Sequence, residues 1–146
     1  MTLGNLRVLV VEDEPTNREI AEVILTSQGH EVVSCRTGQE ALDLLVDKGE
    51  RFDVILMDVL MPGMDGLEVT RRLRTVDRTR DVPIICVSAK ASGSDYAAGL
   101  AAGANSYLRK PYRRRELLQA IDDVLRGASG PEANGRRAGM ESSRAE

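Results

Sequence analysis

The chain of 146 residues is long enough for one domain with a real hydrophobic core and too short for two comfortable ones. Hydrophobic residues make up 42% of the sequence and charged residues 29%, which is the composition of a globular protein. The formal net charge of -3 argues against a dedicated nucleic-acid binder, which needs at least one basic face, so direct DNA binding is not expected.

Two further features concern the environment of the protein. The start, "MTLGNLRVLVV", lacks the parts of a signal peptide, and no apolar run is long enough to span a membrane. Cys35 and Cys86 lie in separate apolar segments without metal-binding spacing, which predicts buried, reduced thiols. Both features are typical of a cytoplasmic protein.

Short segments rich in β-branched residues alternate with longer segments of helical period. Strands are predicted at residues 7–11, 31–35, 53–57, 83–88 and 106–109. Helices are predicted at residues 15–28, 38–47, 65–75, 94–101 and 113–126. Pro15 suits a first helical position, Thr37 suits an N-cap, and Gly29, Gly49 and Gly127 suit helix ends. The chain therefore consists of five βα units.

The first, third and fourth strands are apolar almost throughout, which indicates burial on both faces of a parallel sheet. Right-handed crossovers then predict an α/β, doubly wound (βα)5 three-layer sandwich that ends near Arg126. We expect one domain over residues 1–126. Residues 127–146 are rich in Gly, Ala and Ser and lack apolar periodicity, which predicts a disordered C-terminal tail.

Polar and charged side chains follow four of the predicted strands. They are Glu12 and Asp13 after the first strand, Asp58 after the third, Ser88 ending the fourth and Lys110 after the fifth. In an open parallel sheet these ends meet at the edge where ligands bind. Clustered carboxylates repel one another unless a cation joins them, and hard oxygen ligands suit Mg²⁺. With a mobile lysine charge and a hydroxyl donor, the set predicts a phosphoryl-handling site with its own carboxylate nucleophile.

Each of these residues also has a simpler explanation. The acids at positions 12–14 could favour the N-terminus of the following helix, and alone this would be the better explanation. Asp58 could cap a turn, Ser88 could bond locally, and Lys110 could be a solvated residue before a proline. Turns explain poorly why four strand ends bring complementary chemistry to one edge, so the joint placement favours the phosphoryl site.

Four motifs, "VLVVEDE", "VILMDVLMPGMDGLEV", "PIICVSA" and "GANSYLRKPY", together resemble the receiver domain of bacterial two-component response regulators. The resemblance covers residues 6–126. It implies a flavodoxin-like fold of the chemotaxis-regulator type, with strand order 2-1-3-4-5 and a cis peptide bond between Lys110 and Pro111. It also implies a signalling switch that catalyses only its own phosphorylation and dephosphorylation, not an enzyme acting on an external substrate.

The same resemblance implies a role for each residue at the sheet edge. Asp58 would accept the phosphoryl group, and Ser88 and Lys110 match the hydroxyl and lysine positions of the family. The implied ligands of Mg²⁺, or of Mn²⁺ in its place, are the carboxylates of Glu12, Asp13 and Asp58 and the backbone carbonyl of Leu60. Ser88 replaces the more common Thr, and Tyr112 replaces the more common Phe, without loss of a needed group.

Tyr107 matches the aromatic switch residue of the family. After phosphorylation of Asp58, Ser88 would move toward the phosphoryl group and Tyr107 would turn inward, which changes the surface of the fourth helix, fifth strand and fifth helix. Without the resemblance, Tyr107 is an ordinary amphipathic residue on an edge strand. Gly99 and Gly103 each weaken a helix by about 1 kcal/mol relative to Ala, so we expect low stability in the fourth helix.

Two side chains beside the site are candidates for setting the lifetime of the phosphoryl group. Leu60 lies two positions beyond the acceptor, and Lys90 lies two positions beyond the hydroxyl residue, where the family tunes hydrolysis. Apolar Leu60 cannot orient an attacking water, so we expect the acyl phosphate to persist. The alternative is that both side chains simply point to solvent.

Two surfaces could take part in contacts with other molecules. The first helix is expected to face the core with Ile20, Val23, Ile24 and Ser27, widened by Ala21 and Leu25. Its outer edge could dock a kinase or phosphotransfer helix, as this surface does in relatives. The run "RRRE" from Arg113 to Glu116 is read as a solvated helix start, with an anion contact as the weaker alternative.

The implied partners are a histidine kinase or a histidine phosphotransfer protein as phosphoryl donor, and a downstream protein target. The receiver would be a monomer or a phosphorylation-dependent homodimer. Because no second domain follows Arg126, we expect a single-domain regulator whose signal leaves through a partner.

Three other classes fit the sequence less well. A phosphohydrolase of the haloacid-dehalogenase type needs a second Asp two residues after the nucleophile, and Leu60 occupies that place. A nucleotide-binding fold needs a Gly-rich loop after the first strand, where this chain has "VEDEP". A phosphorylation-independent receiver usually lacks an acid or the lysine, and this chain has the full set.

Overall fold

The computed structural model describes residues 5–127, and within them the five predicted βα units are present in the predicted order. The strands are β1 (Arg7–Val11), β2 (Glu31–Cys35), β3 (Val54–Asp58), β4 (Ile84–Ser88) and β5 (Ser106–Arg109). The helices are α1 (Pro15–Ser27), α2 (Gly38–Leu42), α3 (Gly66–Leu73), α4 (Gly93–Ala102) and α5 (Arg114–Leu125). A π-helical turn, Asp43–Asp47, continues α2. The predicted tail lies, from residue 128 onward, outside the described residues.

The five strands form one parallel sheet in the order β2-β1-β3-β4-β5, which confirms the doubly wound α/β prediction. Every residue of β3 and β4 is buried, as the near-continuous apolar runs indicate for strands covered on both faces. Side chains of α2, α3 and α4 pack on one face of the sheet, and side chains of α1 and α5 pack on the other. The sheet therefore lies between two helical layers.

The prediction of which α1 residues face the core is wrong at several positions. Ala21 and Leu25 are buried against the sheet, whereas Ile20 is 46% exposed, Val23 is 58% exposed and Ser27 is also exposed. Residues at i and i+4 lie on one helix face, and here that face carries the pair Ala21 and Leu25. Apolar residues cover most of the circumference of α1, so periodicity could not decide which of them faces the sheet.

The two cysteines are free and buried, as predicted. Burial raises the pKa of the Cys35 thiol and of the Cys86 thiol to about 12. Both are therefore protonated near neutral pH and behave as small apolar core residues. Among residues 5–127, no helix combines the length and the apolar character needed to cross a bilayer.

The end of α4 differs in one respect from its prediction. Gly103 is not a residue of the helix but its C-cap, with a left-handed φ of 115° that an L side chain rarely adopts. It therefore stops the helix and does not weaken it. Gly99 does lie within α4, where it is buried.

Candidate functional site

Three carboxylates meet at the carboxyl edge of the sheet, as the sequence predicts. Oxygen atoms of Glu12, Asp13 and Asp58 all lie within 4.8 Å of one another. Glu12 is 6% exposed and Asp58 is 4% exposed, so two of the three acids are almost completely removed from water. Buried like charges at this separation require cations to balance them.

The loop after β1 places the first two acids by means of its own hydrogen bonds. Glu14 is the N-cap of α1, and its side chain accepts a 2.7 Å hydrogen bond from the backbone N–H of Asn17. Arg18 donates from Nη1 to the backbone carbonyls of Glu12 at 3.0 Å and Asp13 at 3.4 Å. The helix-terminus explanation therefore holds for Glu14, while Glu12 and Asp13 belong to the site.

The third acid is fixed by the close approach of α3. Asp58 is the last residue of β3, and a Cβ atom at Gly66 would overlap the Asp58 backbone carbonyl. The backbone N–H of Gly66 also donates to the carbonyl of Val59 at 3.0 Å. Only glycine allows this approach, because any side chain would displace the strand end.

Lys110, the residue after β5, joins the acids. Its Nζ atom lies 2.8 Å from Glu12 Oε1 and 3.2 Å from Asp58 Oδ1. Burial alone would lower the pKa of Lys110, but the hydrogen bond to Glu12 and the charge of Asp58 raise it on balance. The side chain therefore stays an ammonium, and the peptide bond that follows it, Lys110–Pro111, is cis as the resemblance implies.

Asp58 has a strongly perturbed acidity. Burial and then the charge of Glu12 raise the pKa of Asp58 to about 7, although Lys110 acts in the opposite direction. One ammonium against three carboxylates leaves excess negative charge at the site. The donor set of carboxylate oxygens therefore fits a small divalent cation such as Mg²⁺ or Mn²⁺.

A chain of hydrogen bonds leads from Ser88 to Tyr107. The Ser88 hydroxyl oxygen accepts from the Lys90 backbone N–H at 3.0 Å, and the Tyr107 hydroxyl donates to the Lys90 carbonyl at 2.7 Å. Tyr107 is only 3% exposed, and its ring already lies inward, against Gly99 and Tyr96 of α4. Ser88 and Tyr107 thus contact the same short segment after β4.

The predicted lifetime residues lie at the border of the site. Leu60, two residues after the buried end of β3, is 49% exposed, and Lys90 is exposed as well. Arg113, Arg114 and Arg115 are also exposed, and the Glu116 side chain accepts a 2.7 Å hydrogen bond from the Arg113 backbone N–H. That bond supports the start of α5, which agrees with the solvated-helix interpretation.

Two residues of the site were missed as site residues from the sequence. Arg18 lies one turn into α1, where a charged residue is usually part of a solvated face, and no local pattern indicated its bonds to the acidic loop. Tyr112 shares a small cavity with Asn17 and Asp58, and burial together with the charge of Glu12 raises its pKa to about 12. The signal for Tyr112 was its position two residues after Lys110.

An open parallel sheet with an acid cluster, a lysine and a hydroxyl at its carboxyl edge fits the class of phosphoryl-handling domains. The family model of the response regulator receiver domain matches residues 8–122. The chain belongs to this family. It is a receiver domain of two-component response regulators, which act in phosphorylation-based signalling.

The relatives include response regulators and a transcriptional regulatory protein. The response regulator MprA of Mycolicibacterium vanbaalenii is 40% identical over 92% of this chain and 57% of its own length. AfsQ1 of Streptomyces coelicolor, a transcriptional regulatory protein, is 41% identical over 82% of this chain and 51% of its own length. The chain thus spans about half the length of these relatives.

Solved structures agree with the fold. The chemotaxis protein CheY4 of Vibrio cholerae matches with a TM-score of 0.77 and 32% identity over 83% of this chain and 99% of its own. The receiver domain of sensor histidine kinase PA1611 of Pseudomonas aeruginosa matches with a TM-score of 0.76 and 36% identity, covering 84% of this chain and 98% of its own. That receiver was crystallised with a magnesium ion coordinated in the active site cleft.

Proposed function

We propose that this receiver accepts a phosphoryl group on Asp58 from a phosphohistidine of a histidine kinase or a histidine phosphotransfer protein. The observation that carries the proposal is the cluster of Glu12, Asp13 and Asp58 closed by the Lys110 ammonium. Receiver domains interact with histidine kinases and downstream targets, which supports a phosphohistidine as the donor. We take residues 1–126 as the receiver unit and the cytoplasm as its place of action.

The proposed metal ligands are Glu12, Asp13 and Asp58, with the backbone carbonyl of Leu60 as a fourth. Bound Mg²⁺ would neutralise the acids and stabilise negative charge on the transferring phosphoryl group. Glu12 also accepts from Lys110 and, at 3.2 Å, from the backbone N–H of Glu14, so one of its roles is to orient the lysine. Asp13 is less buried than the other two acids.

The side chains divide the chemistry of transfer among them. A deprotonated carboxylate oxygen of Asp58 attacks the phosphorus, and the bond from phosphorus to the histidine nitrogen breaks with its electron pair going to the imidazole. The imidazole takes a proton from water and leaves neutral. Lys110 donates to one phosphoryl oxygen, and the Ser88 hydroxyl donates to another phosphoryl oxygen after a small movement.

The proposed output uses the segment between Ser88 and Tyr107. A hydroxyl that turns toward the phosphoryl group gives up its bond with the Lys90 backbone, and the Lys90 carbonyl is the atom that holds Tyr107. The change thereby reaches the surface formed by α4, β5 and α5, which would bind a partner protein or a second copy of the chain.

A phosphohydrolase of external substrates is the strongest rival. That chemistry needs an acid or base beside the nucleophile to protonate the leaving group. The side chain two residues after Asp58 is Leu60, which is half exposed and has no titratable group. The geometry therefore favours a phosphoryl acceptor over a hydrolase.

Incubation with acetyl phosphate and Mg²⁺ tests the proposal. We expect the intact protein to gain the mass of one phosphoryl group, and the Asp58→Asn variant to gain none. Asp77→Asn, which alters a carboxylate that is 92% exposed, is the matched control and should still be phosphorylated. Steady turnover of a phosphomonoester would indicate the hydrolase, and no mass gain would indicate a passive interaction module.

A further inference from the structure

Gly99 lies in the middle of α4 against the ring of Tyr107. A Cβ atom at position 99 would lie 2.6 Å from Cδ2 and 3.1 Å from Cε2 of that ring. Carbon atoms in contact prefer separations of about 3.5–4.0 Å, so even a methyl group here would displace the ring or the helix. The inward position of Tyr107 therefore depends on the missing side chain at Gly99.

Backbone conformation gives no other reason for a glycine at this position. The glycines with a left-handed φ include Gly103, the C-cap of α4, but not Gly99. Within a helix, glycine is the least favourable residue after proline, because it loses the most backbone freedom. Space for the Tyr107 ring is thus the physical reason that the structure offers for Gly99.

Two further contacts hold the same ring against the α4 segment. The ring of Tyr96, on α4, lies with its centroid 4.8 Å from that of Tyr107, at an interplanar angle of 35°. The Tyr107 hydroxyl donates to the carbonyl of Lys90, just before α4. The Tyr107 ring therefore contacts the chain at Lys90, Tyr96 and Gly99, which all lie on α4 or just before it.

We propose that Gly99 is the positioning residue for Tyr107, and that the inward Tyr107 ring in turn sets the stability of α4. The link from Asp58 to this unit rests on the proposed function, but the contact between ring and helix does not. A ring that leaves its place would expose the inner face of α4 at Gly99 and Tyr96.

The test compares one substitution in two backgrounds by amide hydrogen exchange of α4. In the otherwise unchanged chain, Gly99→Ala should speed exchange in α4 by about tenfold, because the methyl group overlaps the ring. In a Tyr107→Ala background the same substitution should slow exchange by about fivefold, because alanine then only improves helix propensity. The sign of the effect reverses only if the ring is the cause.

Gly93→Ala is the matched control, because a Cβ atom at Gly93, also on α4, has no neighbour within 4 Å. It should leave exchange in α4 unchanged or slower in both backgrounds. If Tyr107→Ala does not fold, Tyr107→Val keeps a β-branched strand residue without the ring and replaces it. Nuclear Overhauser contacts between the Gly99 α-protons and the Tyr107 ring should be present in the unchanged chain. They should be weaker in the Tyr96→Ala variant, which loses the ring contact with Tyr107.

Two results would overturn the inference. One is an effect of Gly99→Ala with the same sign with and without the Tyr107 ring, and the other is the absence of any contact between Gly99 and the ring. Phosphorylation is measured separately, since Gly99→Ala should still gain the phosphoryl mass on Asp58. If the unchanged chain gains no phosphoryl mass, the proposed function is contradicted, but the hydrogen-exchange result on Gly99 and Tyr107 still stands.

Discussion

Lys110 lies closer to Glu12 than to Asp58, with Nζ 2.8 Å from Glu12 Oε1 and 3.2 Å from Asp58 Oδ1. The lysine is therefore oriented mainly by the residue that is not the proposed acceptor. Asp58 keeps oxygen lone pairs available for the proposed metal ion and phosphoryl group. Glu12 therefore positions the lysine, in addition to its proposed role as a metal ligand.

Replacement of the lysine tests its role as the internal cation. In Lys110→Met the buried carboxylates lose their positive partner, so we expect a lower free energy of unfolding, by roughly 1–3 kcal/mol at about pH 8 with partial exposure taken into account. The pKa of Asp58 should rise further above about 7. An acid whose pKa is raised by folding is most favourable when protonated, so the deficit should shrink at about pH 5. Urea unfolding at both pH values measures this, and an equal deficit at both would contradict it.

Binding of Mg²⁺ should depend on pH through Asp58. Its pKa of about 7 means that a proton competes with the metal below that value. We expect the affinity for Mg²⁺ to rise about tenfold between about pH 6 and pH 8, with release of a proton. Isothermal titration calorimetry in buffers of different ionisation enthalpy measures both. In Asp58→Asn the rise with pH should largely vanish; a rise of the same size there would assign the proton to another group.

Leu60 should prolong the life of the phosphorylated state. Its exposed apolar side chain cannot hold a water in line with the acyl phosphate, whereas an amide can. We expect Leu60→Asn to lose the phosphoryl group about tenfold faster. Leu60→Met is the matched control, since it keeps an apolar side chain of similar volume and should behave like the unchanged chain. Equal decay of all three proteins, followed by intact mass over time, would remove Leu60 from this role.

Arg18 should support the metal site from α1. Its guanidinium binds the backbone carbonyls of Glu12 and Asp13, so Arg18→Gln should loosen the acidic loop and weaken Mg²⁺ binding by about tenfold. The matched control is Arg36→Gln, an exposed arginine outside the acid cluster. Thermal unfolding without metal should change little in either variant. A loss in the free energy of unfolding as large as the loss in the free energy of Mg²⁺ binding would indicate a general structural role.

The fold and the residues of the sheet edge were predictable from the sequence for one reason. Fully apolar strands require a covered parallel sheet, and a parallel sheet brings every strand end to one edge. Glu12, Asp58 and Lys110 could therefore be grouped without a structure. The roles of these residues in phosphoryl transfer stay predictions.

The remaining features depend on tertiary contacts that have no local pattern. The sequence could not show that Ala21 and Leu25, and not Ile20 and Val23, form the core face of α1. It also could not separate Glu14, which caps a helix, from its two neighbours. The space that Gly99 leaves for Tyr107 joins residues on different elements, so helix propensity alone suggested only a weak helix.

The contact between Gly66 and the Asp58 carbonyl has a mechanical consequence. On the side of α3, the backbone of Asp58 packs so closely against Gly66 that not even a methyl group would fit between them. On the side of β4, the neighbouring strand ends in Ser88, whose hydroxyl group can rotate about a single bond. Displacement caused by new charge at Asp58 is therefore expected in one direction only, toward β4 and β5, so the molecule is stiff on one flank and compliant on the other.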